Sequence, residues 1–185
     1  MRKLLILLAL LLIGSCAGIK QVLPSVARAD IMEDGGVVGH CTAFAVSGYK
    51  VLTSAHCCPA QSNAGIKVNN KFGWVLERDE VNDICAVIVI DHGLKPLEIA
   101  KRVQVGDKVF VVGCPMAHCG SITQGWTAKP TEKWTVITAA STFGSSGSPV
   151  LNTKNEVIGI VSRGPEDYNN LVACSKLHAI KKILK

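Results

Sequence analysis

The sequence predicts an all-β barrel or sandwich that ends in a short amphipathic helix and is preceded by an export signal. Three observations carry this reading. Many short apolar runs are separated by turn residues, one C-terminal stretch has helical instead of alternating spacing, and one long apolar run stands at the N-terminus behind two basic residues. The chain has 185 residues, 48% of them hydrophobic. That is enough for one domain with a substantial core, and too apolar for disorder.

Taken in order, Arg2 and Lys3 precede an unbroken apolar run over residues 4–13. The run is too short to span a bilayer as a helix and has the length of a signal-peptide core. It leads into Ile13-Gly14-Ser15-Cys16, which resembles a bacterial lipobox with Cys16 as the lipidated first residue of the mature protein. The rival is ordinary cleavage near Ala17-Gly18, leaving a soluble product; Ala27-Arg28-Ala29 looks like a cleavage site but lies too far from the apolar run. The expectation is therefore export, as a lipoprotein of the periplasm or cell surface with 1–16 as its leader, or as a soluble protein. Residues 17–33 show no sustained periodicity and read as a linker, with the folded domain over 34–185.

From there the apolar runs are 37–38, 42–46, 50–53, 65–68, 72–76, 84–90, 108–112, 134–139, 149–151, 157–161 and 171–173. Ser47-Gly48, Asn69-Asn70, Gly106-Asp107 and residues 152–155 supply turns between them. Residues 93–108 read as the connection between two halves. At the end Leu177, Ile180 and Leu184 recur at helical spacing, with Lys181, Lys182 and Lys185 on the other side, so a helix packed on the domain is expected over 175–185.

There are 20 basic and 14 acidic residues, a formal charge of +6. Without Arg2 and Lys3 the balance is 18 against 14, or +4, and four of the lysines sit at the C-terminus. That is a solvated helix face and argues against a nucleic-acid partner. The expected partner is a protein or peptide substrate, with membrane contact only through the lipid anchor and a monomeric state. Eight cysteines fit an oxidising compartment. Cys41 and Cys57 flank a hairpin and are the expected pair, and Cys114 and Cys119 share one loop and could close it. Cys58, Cys85 and Cys174 stay unassigned.

Three segments carry chemistry. Val51-Leu52-Thr53-Ser54-Ala55-His56-Cys57 runs from a strand into a short turn that presents a histidine. Asn82-Asp83-Ile84-Cys85-Ala86-Val87 places one carboxylate at the start of a strongly apolar strand, near buried structure. Gly144-Ser145-Ser146-Gly147-Ser148-Pro149 flanks a serine with glycines, which lets two backbone N–H groups converge. Hydrolysis of a peptide bond needs a nucleophile, a base and donors for the developing oxyanion. Ser146, His56, Asp83 and the N–H groups of Gly144 and Ser146 fit those roles.

Thr53-Ser54-Ala55-His56-Cys57, Asp83-Ile84-Cys85-Ala86-Val87 and Gly144-Ser145-Ser146-Gly147-Ser148-Pro149 together resemble the three signatures of the trypsin/chymotrypsin-like serine peptidases, over roughly residues 36 to 184. The short intervals, 27 residues from His56 to Asp83 and 63 from Asp83 to Ser146, are more like the compact bacterial members, such as the HtrA protease domain and the glutamyl endopeptidases. Gly113-Cys114-Pro115 resembles the Gly-Tyr-Pro turn of those members. The resemblance implies two six-stranded antiparallel β-barrels, over about 34–98 and 104–174, with the C-terminal helix. It implies a Ser-His-Asp triad of Ser146, His56 and Asp83 that works without a cofactor or metal.

It also marks departures. Digestive trypsins hold the oxyanion loop by pairing a new N-terminus with an Asp just before the nucleophile. Ser145 stands there instead, so the loop has to be held some other way or become ordered on substrate binding. The resemblance puts the walls of the primary pocket at Ala140, Ser141 and Thr142 and at Ser162, Arg163 and Gly164. With no carboxylate there, a Lys/Arg preference is disfavoured and a small or medium uncharged P1 residue is expected. Two other classes compete: a catalytically silent binding module on the same fold, and a metal-binding protein using His40-Cys41, His56-Cys57-Cys58 and Cys114 to Cys119 with His118. The metal spacings fit disulfides better.

Overall fold

The computed structural model describes residues 18–60, 64–163 and 171–185, with the side chain of Arg163 outside the description. The leader over 1–16 with Cys16, and Gly164 of the expected pocket, lie outside these residues. Six strands form the first unit: β1 (Val26–Glu33), β2 (Gly36–Ala45), β3 (Lys50–Thr53), β4 (Ala64–Val68), β5 (Lys71–Asp79) and β6 (Ile84–Val89). They close into a barrel in the order β1-β2-β3-β6-β5-β4. The second unit comprises β7 (Lys108–Gly113), β8 (Ser121–Trp126), β9 (Thr135–Ile137), β10 (Pro149–Leu151), β11 (Val157–Arg163) and β12 (Val172–Cys174). At the C-terminal end the α-helix α1 spans Leu177–Ile183, inside the expected 175–185.

The second unit is less closed than expected. It is a six-stranded sheet in the order β8-β7-β10-β11-β12-β9, and its two edge strands meet at an isolated Thr127–Ile137 bridge. Thr138 N–H donates to Trp126 O at 3.0 Å beside that bridge, so the halves of the sheet curl toward each other without a full ladder.

Alternation of side chains decides how the units pack. In β6, Cys85, Val87 and Val89 point into the first barrel, whereas Ile84 and Ala86 join a cluster shared with the second unit. In β7, Val109 and Val111 fill the second unit, and Phe110 and Val112 face the shared cluster. Strands buried on both faces read as unbroken apolar runs, which is why β6 and β7 were plain in the sequence. The shared cluster also takes Phe44, Leu52, Leu151 and Ile160, and α1 caps it with Ala179, Ile180 and Ile183.

Two strands were missed. Residues 26–33, read as linker, form β1, which pairs with β2 and β4 and so closes the first barrel. Its outer face carries Arg28 and the buried Asp30, with Arg28 Nε 2.6 Å and His40 Nδ1 2.9 Å from Asp30 Oδ1. These polar residues alternate with Ala27 and Ala29, which point inward, and the small, weakly hydrophobic inward set hid the strand. The folded part therefore reaches back well before residue 34. β8 was missed for a related reason, since only Gly125 is buried along it.

Among the described residues there are three disulfides: Cys41–Cys57 and Cys114–Cys119 as expected, and Cys58–Cys85, which the sequence left open. Cys174 is a buried free thiol, and burial pushes it well above the usual thiol range.

Deleting residues 26–33 is expected to remove the cooperative thermal transition followed by circular dichroism. A sharp transition retained by the deleted chain would show that the barrel closes without β1.

Candidate active site

After β3 the chain makes a one-turn 3-10 helix, Ala55–Cys57, which presents His56. Disulfides hold the turn on both sides, Cys57 to Cys41 on β2 and Cys58 to Cys85 on β6. Ser54 Oγ donates to Val161 O at 2.7 Å, tying the start of the turn to β11 of the other unit. Asp83 lies one residue before β6 in a left-handed conformation, φ 53°, which an Asp tolerates better than most residues. This bend aims its carboxylate at the His56 turn and not along the strand.

The two side chains meet closely. His56 Nδ1 lies 2.8 Å from Asp83 Oδ2 and 3.0 Å from Oδ1, and the His56 backbone N–H donates to Oδ1 at 3.0 Å. Ser162 on β11 donates its hydroxyl to Oδ2. An ionised carboxylate only accepts, so Nδ1 carries the proton in the neutral imidazole and Nε2 is left with its lone pair. Burial pushes the Asp83 carboxyl up. The hydrogen bonds from His56 and Ser162 and the charge of His56 outweigh burial and hold it at about 2, against an ordinary 3.8.

Ser146 sits in the loop between β9 and β10. Its hydroxyl donates to Ser162 O at 3.2 Å, and its carbonyl accepts the Thr42 N–H at 2.8 Å. Ser162 is thus the common neighbour, with its hydroxyl on Asp83 and its carbonyl on Ser146. Among the described residues there is no hydrogen bond between the His56 ring and the Ser146 hydroxyl. Gly147 has φ +84°, and a Cβ there would lie 2.0 Å from Thr42 O, so no other residue fits where the loop crosses β2. The N–H groups of Gly144 and Ser146 have no protein partner among the described residues.

The expected pocket residues divide. Ala140, Ser141 and Thr142 line a cavity of about 400 Å³ together with Ile122, Ser145 and Ser148, and none of His56, Ser146 and Ser162 lines it. Ser162, expected as a pocket wall, is buried and spends its hydroxyl on Asp83. The sequence did hold a signal, a lone serine directly after the apolar run of β11. The metal alternative loses its ligands here: Cys41, His56 and Cys57 cluster tightly, but the two sulfurs are joined in a disulfide and offer no thiolate.

A double β-unit with this seam is the architecture of trypsin-like peptidases. The family model for the trypsin-like peptidase domain matches residues 41–160, and the chain belongs to that family. Among curated proteins it is similar to HhoB and HhoA of Synechocystis sp. (strain ATCC 27184 / PCC 6803 / Kazusa), whose names call them serine proteases. Identity to HhoB is 32% over 130 residues, 60% of this chain and 31% of the relative, and identity to HhoA is 30% over 129 residues, 60% and 33%. The chain thus spans about a third of the length of these relatives. Among solved structures, the active form of the Rv3671c protease from M. tuberculosis superposes with a TM-score of 0.79 at 21% identity, covering 90% of this chain and 82% of that one. The serine endoprotease from Yersinia pestis gives 0.80 at 17% identity, covering 92% and 65%. At those identities the likeness is one of fold.

Because the folded carboxyl of Asp83 titrates below the unfolded one, its stabilisation is complete above pH 4–5 and is lost as pH falls through about 2. A lowering of this size is worth on the order of 2 kcal/mol. Urea unfolding of the wild type and Asp83→Asn should differ by about that much at pH 7, and the gap should narrow steadily from pH 5 toward pH 2. A gap independent of pH would remove the carboxylate's charge from the account.

Proposed function

We propose that the chain is an exported serine endopeptidase that cleaves peptide bonds through Ser146, His56 and Asp83. The observation that carries this reading is the His56–Asp83 pair, with both carboxylate oxygens facing Nδ1, joined to Ser146 through Ser162. Asp83 holds the imidazole in the tautomer whose Nε2 can accept a proton, and it stabilises the imidazolium once that proton arrives. The Ser146 hydroxyl turns from the Ser162 carbonyl to donate to His56 Nε2. Its oxygen then attacks the scissile carbonyl as Nε2 takes the proton.

The charge that develops on the substrate oxygen is met by the N–H groups of Gly144 and Ser146. His56 returns the proton to the leaving amine, and an acyl-enzyme on Ser146 remains. Water, deprotonated by the same Nε2, hydrolyses it and restores the serine. No metal or cofactor takes part in these steps. Ala140 to Thr142 are small and uncharged, which favours a small or medium uncharged P1 residue. Export follows from the apolar N-terminal run, with Cys16 lipidation as the anchored form and cleavage near Ala17-Gly18 as the soluble one.

Ser146→Ala is expected to lower kcat on a peptide-library hit by about 10³-fold or more, with KM little changed. A fluorophosphonate should label Ser146 in the wild type and fail to do so after His56→Ala. Equal labelling of the two proteins would sink the triad, whatever the cleavage profile shows.

A further inference from the structure

Digestive trypsins brace the oxyanion loop with a carboxylate just before the nucleophile, and Ser145 stands there in this chain. Ser145 is buried, and its hydroxyl accepts the Thr142 N–H at 3.2 Å. The ion pairs Arg28–Asp30, His40–Asp30, His56–Asp83 and Arg78–Glu80 include no residue of the loop. Yet the loop has a definite shape, so other groups supply it.

A peptide unit is planar and trans, so an N–H points opposite the carbonyl of its own unit. There are no cis bonds among the described residues. The unit that carries the Gly144 N–H has the Phe143 carbonyl, which accepts the Met116 N–H at 2.8 Å. The unit that carries the Ser146 N–H has the Ser145 carbonyl, which accepts the Ser148 N–H at 3.0 Å. Each oxyanion donor is thus aimed by a bond on the opposite side of its peptide. The Phe143 side chain is 85% exposed, so only its carbonyl anchors it.

Met116 belongs to the short turn 114–119. Both Met116 (φ 52°) and Ala117 (φ 65°) are left-handed, a conformation that side chains with a Cβ disfavour. The turn would not hold itself open this way, and the Cys114–Cys119 disulfide closes it. It touches the loop directly, since a Cβ on Gly144 would meet Cys114 O at 2.8 Å and Met116 N at 3.0 Å.

One residue joins turn, loop and first barrel. The hydroxyl of Thr42, fully buried on β2, donates to Gly144 O at 2.8 Å and accepts the Cys114 N–H at 2.9 Å. The Thr42 N–H donates to Ser146 O at 2.8 Å. Those partners fix the sense of each bond, because a carbonyl cannot donate and an N–H cannot accept.

We propose that Thr42 and the disulfide-closed turn 114–119 are positioning elements that hold the Gly144 and Ser146 N–H groups toward the substrate before it binds, in place of the buried carboxylate. The proposal rests on the endopeptidase reading for its effect on rate, but its structural half stands alone. The test uses the full chain as wild type, Thr42→Val, Thr42→Ser and the double variant Cys114→Ser/Cys119→Ser. Hydrogen–deuterium exchange is read over 140–148, where Ser145, Gly147 and Ser148 donate hydrogen bonds, and over β6 and β11 as controls.

Exchange over 140–148 should rise by about tenfold in Thr42→Val and in the double variant, with β6 and β11 unchanged. Thr42→Ser, which keeps the hydroxyl, should match the wild type. On a peptide amide the same two variants should lose roughly ten- to a hundredfold in kcat with KM within about threefold, as misplaced oxyanion donors require. Exchange within about twofold of wild type in both variants, acceleration spread equally through β6 and β11, or faster loop exchange with unchanged kcat would each overturn the proposal. A wild type that cleaves nothing overturns the endopeptidase reading and the rate half of this one, while the exchange arms still decide the structural half.

Discussion

The Asp83 carboxylate sits at the seam between the two β-units and takes its donors from both sides, the His56 N–H and ring from the first and the Ser162 hydroxyl from the second. Leaving a carboxylate in that position with one donor fewer would cost several kcal/mol, so the arrangement is stable only when both units are docked. Orientation of the imidazole and docking of the units are therefore one event. Ser54 Oγ and Gly147 N–H both reach the Val161 carbonyl within the same seam, at 2.7 and 2.8 Å, and Ser175 Oγ closes the far side on Asn82 O at 2.8 Å. The geometry of the His56–Asp83 pair is thus a by-product of how two sheets are bolted together.

How much of this was legible in the sequence depended on burial. β6 and β7 are covered on both faces, so their residues announce themselves as continuous apolar runs. β1 shows alanines inward and an Arg–Asp pair outward, and it passed for a linker. β8 passed for loop because most of it is partly open to solvent. His56, Asp83 and Ser146 stood out because each occupies a local pattern that constrains the backbone: a strand-to-turn histidine beside a cysteine, a carboxylate opening an apolar strand, and a serine between glycines.

The supporting residues had no such mark. Thr42 is one threonine in an apolar run, Ser162 one serine after another, and Met116 contributes only a backbone N–H. Their roles come from contacts across 102, 79 and 27 residues of sequence, and no local pattern encodes a partner at that range. Ser162 shows the limit well, since nothing near it in the sequence announces that its hydroxyl bonds to Asp83. The Cys58–Cys85 bridge was hidden for the same reason.

That bridge has a consequence for the chain when it is not folded. Cys58 follows His56 by two residues and Cys85 follows Asp83 by two, so an oxidised chain stripped of every strand still keeps this imidazole and its carboxylate partner at the neck of one covalent ring. Closing a ring of this size removes about 3–4 kcal/mol worth of freedom from the denatured ensemble. The encounter of imidazole and carboxylate is then a short local search, and assembly of the second unit onto the first begins with that pair already held close.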